Sequence, residues 1–443
     1  MKNSQKRFLN FINHSATNIP SSIPGADDIT RVELDNGITV LARSNFNSLS
    51  VTLSGYLTAG GLFDPDDKLG LADFTASALM RGSSQRDFQG IYNALESVGA
   101  SFGFSGATHT TGFGGRALAE DLDLLLDILS ETVVRPTFPS EQVQRLKAQL
   151  LTGLAIRAQD TREMASLTFD QMIYKNHPYS RPEDGYPETV EIISREDLKS
   201  FHETHYGPRG MVIAVVGAVE PQIVVESIQR KLGDWKNPSQ KQIPDLPAVT
   251  PLEQQTKEMV EIPGMIQSDI VIGLPGPPHA APEFLPAVLG NNILGQFGMM
   301  GRIGHAVREQ AGLAYYAYSD VSGGLGPGPW SVLAGVNPVG VNQAVALILN
   351  EIQRFVSEPV TQEELENSQS SYIGRLPLAL ESNAGVAAAI LNLERYQRDL
   401  DYYRRYKQTV KAVTVEKVLA TAQKYLHSER LAIAISGPKN SDS

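Results

Sequence analysis

Residues Leu69–Ser84 have the sequence "LGLADFTASALMRGSS". Its apolar residues recur at helical spacing between a glycine near its start and an Arg-Gly-Ser close, which predicts an amphipathic helix. Asp73 and Ser77 stand four residues apart and so share one face of that helix, with Ala76 beside Ser77. This is the layout of a metal-binding helix that has no metal ligands in it.

The composition limits the classes of protein that this chain can belong to. It has 443 residues, of which 42% are hydrophobic and 20% charged, as in globular proteins of two or three domains. A formal net charge of −11 argues against nucleic acid or an anionic membrane as the main partner. The absence of cysteine excludes disulfides, thiolate nucleophiles and cysteine-ligated metal sites. No apolar run is long enough to predict a membrane span.

The pattern of predicted elements occurs twice. A hairpin is predicted at Thr30–Ser44, where "DNG" separates two alternating runs. The paired helices predicted in Glu120–Gln149 are echoed in Val341–Gln369, at an offset of about 220 residues. Late in each half a buried strand is predicted, in Gly210–Val219 and in Arg430–Pro438. We therefore expect an α+β protein made of two similar tandem domains from a duplicated unit.

A proline-rich stretch separates the two repeats. Residues 236–256 contain four prolines and little periodicity, which predicts an interdomain linker. This divides the chain into an N-terminal tail (1–27), a first domain (28–235) and a second domain (257–443). The tail holds Lys, Arg, Ser and Asn with no acid before Asp27, and is interpreted as loosely docked; an organelle transit peptide is the alternative.

Two short motifs have competing interpretations. "GASFG" around Ser101 matches a nucleophile elbow, but it follows a predicted helix and precedes a strand, the reverse of the required order. "HETH" places His202 and His205 three apart, whereas the zinc protease motif needs a spacing of four. We interpret both motifs as structural.

The segment "AVREQAGLAYYAYS", from Ala306 to Ser319, predicts a helix end followed by a strand. Gly312 suits the position after the helix, and Arg308 lies near its C-terminus. Arg308 by itself is explained by the helix dipole, and Tyr315 by a place in the core or at a sheet edge.

Four stretches, taken in order, give the chain a family resemblance. They are "GGLFDPDDKLGLADFTASALMRGS", "LESVGASFGFSGATHTTGF", "HPYSRPEDGYPETVEIISREDLKSFHETHYGPRGMVIAVVGAV" and "VREQAGLAYYAYS". Together they resemble the pitrilysin-type zinc metalloproteases, whose members include the mitochondrial processing peptidases. The resemblance implies two similar α+β domains that are joined by a linker and face a central cavity.

The resemblance also implies what the opening helix has lost. Active members carry the inverted motif H-x-x-E-H, in which two histidines bind zinc and the glutamate activates a water. The matching residues here are Asp73, Ala76 and Ser77. A later glutamate should fall within residues 152–154, but residues 142–159 contain no acid. The resemblance thus implies no metal in this chain, with Zn²⁺ expected in a partner subunit.

The second half keeps a different family feature. Members use an arginine and a tyrosine seven residues apart to hold substrate across the cavity, and Arg308 and Tyr315 match them in "R-E-x-x-G-L-A-Y". We expect a subunit that is inactive alone and pairs with an H-x-x-E-H zinc subunit to hydrolyse peptides. The alternative is a catalytically inactive assembly protein similar to the core subunits of respiratory complexes. The expected location is the cytoplasm.

Overall fold

The computed structural model describes residues 23–296 and 301–439. In the first half, the predicted hairpin is present as an antiparallel pair, with Val32 opposite Val40. The elements of this half are β1 (Thr30–Glu33), β2 (Thr39–Ser44), β3 (Ser50–Leu57), α1 (Leu71–Ala78), α2 (Phe88–Glu96), β4 (Ser101–Gly106), β5 (Thr111–Leu118), α3 (Leu122–Val134), α4 (Ser140–Arg157), α5 (Thr161–Ile173), α6 (Pro187–Ile192), α7 (Arg195–His205), β6 (Val212–Gly217) and α8 (Pro221–Leu232).

The second half repeats the order of the first from β2 to β6, without counterparts of β1 and α8. Its elements are β7 (Thr256–Glu261), β8 (Ser268–Pro275), α9 (Phe284–Asn291), β9 (Ala314–Val321), β10 (Pro329–Val336), α10 (Val341–Ser357), α11 (Gln362–Ala379), α12 (Asn383–Arg395), α13 (Tyr402–Lys411), α14 (Val415–Tyr425) and β11 (Ala432–Gly437). Two π-helical segments, Asn292–Gln296 and Gly304–Gln310, stand between α9 and β9.

The two sheets share one topology. The first has the strand order β1-β2-β6-β3-β5-β4 and the second β7-β11-β8-β10-β9, so the orders coincide once β1 is set aside. In each sheet a single pair is parallel, β2 with β6 and β7 with β11. The α+β fold with a duplicated unit is therefore confirmed.

One helix of each half covers the sheet of the other half. Helix α5 packs on β8 and β11 of the second sheet, where Phe169 and Ile173 are buried with Val271. Helix α12 packs on β3 and β6 of the first sheet, where Ile390 is buried with Leu41. Because burial of each such side chain stabilises the fold by about 1.5–3 kcal/mol, this exchange joins the two halves into one structure.

The exchanged helices begin in the same way. Asp160 precedes α5 and accepts hydrogen bonds from the backbone N–H groups of Arg162 and Glu163. Ser382 precedes α12 and accepts from the N–H of Gly385. Both caps satisfy donors that have no partner inside the helix, so each chain reversal into an exchanged helix is fixed locally.

Helix α1 is shorter than the sequence predicted. Its α-helical part ends at Ala78, and a single 3-10 turn follows to Arg81. Gly82 then takes a φ of 152°, a conformation that L side chains rarely adopt, and the chain leaves the helix there.

No helix or strand lies within residues 233–255, the region of the predicted linker. Thr256, the last residue of that prediction, already belongs to β7. Most of the predicted tail, residues 1–22, lies outside the described residues. Residues 23–27 lie against α13, where the N–H of Ala26 donates to Asp401 at 3.0 Å. The domain boundaries themselves stay a prediction.

Within the described residues, no single helix is long and apolar enough to cross a bilayer. Helices α11 and α12 reach that length only as a pair, and they are bent by 115° relative to each other.

We predict that cutting the linker leaves the two halves together. A specific protease site inserted after the exposed Pro244 should yield two fragments that elute as one species in gel filtration, since their separation would uncover both exchanged helices. Ile390→Asp places a charge in the buried contact of α12 and should release the fragments, whereas Asn392→Asp on the exposed side should not. Fragments that separate without denaturant in the otherwise unchanged chain would contradict the exchange.

Candidate functional site

The carboxylate of Asp64 caps the start of helix α1, although Asp64 itself lies outside the helix. Asp64 is buried and its two oxygens accept the backbone N–H groups of Gly70 and Ala72, at 2.9 and 2.8 Å. Burial raises the pKa of Asp64 to about 7, although both backbone hydrogen bonds act in the opposite direction. Because Gly70 has a φ of 92°, the chain can turn sharply into the helix at that point.

The three motif positions on α1 have separate environments. Asp73 accepts the backbone N–H of Gly106 at 3.2 Å, while Ala76 is fully buried and Ser77 is partly exposed. Burial raises the pKa of Asp73 to about 6, and the nearby Asp184 and Glu183 raise it further against the hydrogen bond from Gly106. Asp73 therefore has a structural contact of its own, to the end of strand β4.

Helix α4 packs against α1 and offers no acid to this position. In the interval where the resemblance implied a glutamate, the Thr152 hydroxyl donates to the carbonyl of Ala148 at 2.8 Å. Gly153 is exposed, and a Cβ added there would meet nothing within 4 Å. Position 153 therefore has space for a side chain, but the residue there is glycine.

Arg308 and Tyr315 lie on either side of a helix-to-strand turn. Arg308 belongs to the π-helix Gly304–Gln310, which ends as predicted at Gly312, where φ is 64°. The side chain of Arg308 is exposed and forms no hydrogen bond or ion pair with the described part of the chain. Nothing within these residues accounts for its charge beyond the dipole of its own helix.

Tyr315 is the extra residue of a β-bulge. On the edge strand β9, Ala314 lies opposite Val336 and Tyr316 lies opposite Gly335, so Tyr315 has no opposite residue. Its side chain is 61% exposed. A bulge redirects the side chain of its unpaired residue, and here it presents a tyrosine to solvent.

Strand β9 contacts helix α5 through the two tyrosines Tyr316 and Tyr318, which follow Tyr315. The Tyr316 hydroxyl donates to Asp269, a buried carboxylate that also accepts from Thr161. The Arg162 guanidinium lies 5.5 Å from the ring centre of Tyr316 and 5.6 Å from that of Tyr318. We call the contacts of Tyr316 and Tyr318 with Asp269 and Arg162 the brace. Sequence reasoning missed it, and its one signal in the sequence is the aromatic alternation in "YYAYS".

Two family models match the chain in succession. The model described as "Insulinase (Peptidase family M16)" matches residues 39–182, and the model described as "Peptidase M16 inactive domain" matches residues 193–372. The chain belongs to peptidase family M16. The resemblance predicted from the sequence is thereby confirmed.

Relatives of this M16 chain match either nearly its whole length or about half of it. An uncharacterized zinc protease of Streptomyces coelicolor is 23% identical over 419 residues, which cover 94% of this chain and 90% of that protein. The probable mitochondrial-processing peptidase subunit beta of Arabidopsis thaliana is 25% identical over 231 residues, 52% of this chain and 44% of that protein.

Solved structures share the fold. A peptidase M16 inactive domain from Pseudomonas fluorescens matches with a TM-score of 0.87 and 24% identity, over 93% of this chain and 98% of that one. A protease from Helicobacter pylori matches with a TM-score of 0.85 and 19% identity, over 94% of this chain and 100% of that one.

The residues present do not fit the zinc ion that the M16 family implies. A catalytic zinc site needs three protein ligands of the His, Glu, Asp or Cys type. Asp73 is one carboxylate, Ser77 is a poor ligand, and Ala76 cannot serve as a base. Nowhere in residues 23–296 and 301–439 do three such side chains come together as a metal site would require.

The motifs "GASFG" and "HETH", which had both a catalytic and a structural interpretation, lie in structural surroundings. Ser101 begins the edge strand β4 directly after helix α2, which is not the strand-to-helix turn of a nucleophile elbow. The His202 ring bonds to the carbonyl of Val133 at 2.8 Å. The His205 ring stacks on Phe63 with ring centres 4.2 Å apart, and burial lowers its pKa to about 4.

A polar cavity of about 440 Å³ lies between the two halves. Thr108, Asp170 and Glu183 line it from the first half, and Gly324 and Arg395 from the second. The residues expected at a central cavity are not among those that line it: Asp73, Arg308 and Tyr315 all lie outside.

We predict that Asp73→Asn stabilises the protein at high pH. The folded-state pKa of Asp73, about 6, exceeds its ordinary value of 3.8, so the folded chain holds this proton more tightly and loses stability as pH rises from about 4 to about 6. Asparagine still accepts the Gly106 N–H but never ionises. Urea unfolding should give Asp73→Asn an advantage of about 1–3 kcal/mol at pH 8 and almost none at pH 4.

The exposed Asp67 provides the control, because Asp67→Asn removes a charge of the same sign from the surface. An Asp73→Asn advantage of equal size at pH 4 and pH 8 would show that ionisation of Asp73 is not its cause.

Proposed function

We propose that this M16 chain is the non-zinc, substrate-binding subunit of a heterodimeric metalloendopeptidase that degrades or processes peptides. The observation that carries the proposal is a contrast between the halves. The metal positions on α1 hold Asp73, Ala76 and Ser77, while Arg308 and Tyr315 lie at the start of β9, exposed and without a hydrogen bond or ion pair to the described residues. A protein that served only as a structural partner would not need Arg308 and Tyr315 at these exposed positions.

The chemistry proposed for the pair follows from its functional groups. A guanidinium offers several N–H donors in a fixed fork, and a phenol offers one O–H. Aimed at a peptide carbonyl, such donors hold the substrate and stabilise the negative charge that develops on its oxygen. The brace of Tyr316 and Arg162 supports this role, because it holds β9 next to Tyr315 in one position before the substrate binds.

The partner proposed here supplies the zinc ion and the general base through an intact H-x-x-E-H helix of the same family. The zinc protease name of one relative, and the subunit name of another, support a metallopeptidase assembled from related chains. We propose the cytoplasm as its compartment. Cell fractionation followed by capture of the tagged chain would test the compartment and the partner in one preparation.

We predict that removal of either group lowers the activity of the assembled pair without dissolving it. Arg308→Ala and Tyr315→Phe should each reduce kcat for a fluorogenic peptide, by about 10²-fold where the lost donor contacts the oxyanion. Gel filtration of the same preparations should show an unchanged heterodimer, because both side chains are exposed and form no hydrogen bond or ion pair within the described residues.

Arg354→Ala provides a matched control, since Arg354 is an exposed arginine of the same half whose pairs with Glu351 and Glu358 lie on the surface. It should leave kcat unchanged. If Arg308→Ala and Tyr315→Phe also leave turnover unchanged, the proposal fails, and the chain behaves as the assembly protein of the alternative interpretation.

A further inference from the structure

A large cavity lies in the helical layer of the second half. It encloses about 790 Å³ among helices α9, α11, α12, α13 and α14. Its wall is rich in aromatic rings, among them Phe284, Tyr372 and Tyr403. A volume of this size and a largely apolar, aromatic lining are typical of small-molecule sites.

The first half fills the corresponding place with its own chain. There the connection between α5 and α6, residues 174–186, inserts between the start of α1 and the end of α4. Asp184 of this connection pairs with Arg157 on α4, which also donates to the carbonyl of Gly185 at 2.8 Å and lies over the ring of Tyr186. An arginine on the helix is thus met by a carboxylate and an aromatic ring from one inserted segment.

The second half lacks that insert. Its connection between α12 and α13, residues 396–401, is about half as long, and the cavity opens between the start of α9 and the end of α11. Arg375 on α11 lies at this cavity, with its guanidinium 5.2 Å from the ring centre of Tyr372. It has no hydrogen bond or ion pair within residues 23–296 and 301–439.

Several polar groups of the cavity wall are donors. Arg398 lies over the ring of Tyr402, and one of its N–H groups donates to the carbonyl of His279. The hydroxyls of Tyr402 and Tyr406 form no hydrogen bond with the described residues, and burial raises the pKa of each, so both stay protonated. A ligand that brings acceptors can pair with these donors.

The charged residues of the cavity wall also favour an anionic ligand. Glu283 is the single acid among the lining residues, and Lys424 already pairs with it at 2.5 Å. Arg375, Arg398 and Lys417 contribute positive charge to the wall. Burial and the neighbouring Arg398 lower the pKa of His279 to about 4, so the ring facing Tyr396 is neutral at pH 7.

We propose that this cavity binds a small amphipathic carboxylate, whose apolar body occupies the aromatic cavity and whose carboxylate pairs with Arg375. The ligand takes the place that Asp184 and Tyr186 fill in the first half. The site uses neither Arg308 nor Tyr315, so it stands independently of the proposed peptidase role.

Isothermal titration of the full-length chain with octanoate tests the proposal. We expect saturable binding of one octanoate per chain, with octan-1-ol and octylammonium binding at least about tenfold more weakly because they lack the anion. Arg375→Gln should weaken octanoate binding about tenfold, and Arg375→Lys should weaken it less. Arg145→Gln, an exposed arginine on α4 paired only with Glu141, should leave it unchanged.

A second variant locates the site without touching a charge. Ala420 lines the cavity from the exposed side of α14, and Ala420→Trp should abolish octanoate binding by filling the space, with thermal unfolding confirming that the variant is folded. The proposal is overturned if octanoate does not bind at millimolar concentration, if Arg375→Gln binds it as the unchanged chain does, or if Ala420→Trp retains full affinity.

Discussion

The exchange of helices α5 and α12 between the two sheets is the constraint on which the rest of the structure depends. Each sheet is buried on both faces only because the other half contributes one helix. The turn from α4 into α5 is therefore fixed at both ends: α4 packs on the motif helix α1, and α5 carries Arg162 to the strand beside Tyr315. Helix α1 of the first half and strand β9 of the second half therefore both contact one continuous run of chain, α4 and α5.

Helix α1 is held in place by contacts with the neighbouring chain. Asp64 caps it, Ala76 is buried within the layer, and Asp73 accepts the Gly106 N–H of strand β4. Asp73 lowers the stability of the fold when it ionises, because burial raises its pKa to about 6. The position of α1 therefore follows from the Asp64 cap and from the burial of its apolar side chains.

Much of the fold was predictable from local signals. The "DNG" hairpin, the Gly312 helix end and the order of elements in the repeat all rest on short-range chemistry that the sequence displays. The helix exchange was not predictable, because an apolar stripe on α12 indicates burial but not which sheet provides it. The bulge at Tyr315 was equally hidden, since it arises from the register between β9 and β10 rather than from any residue in the strand. Arg308 and Tyr315 were named from the sequence and their role stays a prediction, but their exposure and the contacts of Tyr316 with Asp269 and Arg162 were not predictable.

The exchange also sets the order in which the protein can mature on the ribosome. The first sheet is complete once β6 has emerged, but its face around Leu41, Ala214 and Val216 is covered by α12, whose last residue is Arg395. The chain from residue 218 to residue 395 must be synthesised before that apolar face is closed. During this part of translation the nascent chain exposes an apolar surface, which is the condition under which chaperones bind and under which neighbouring nascent chains exchange segments.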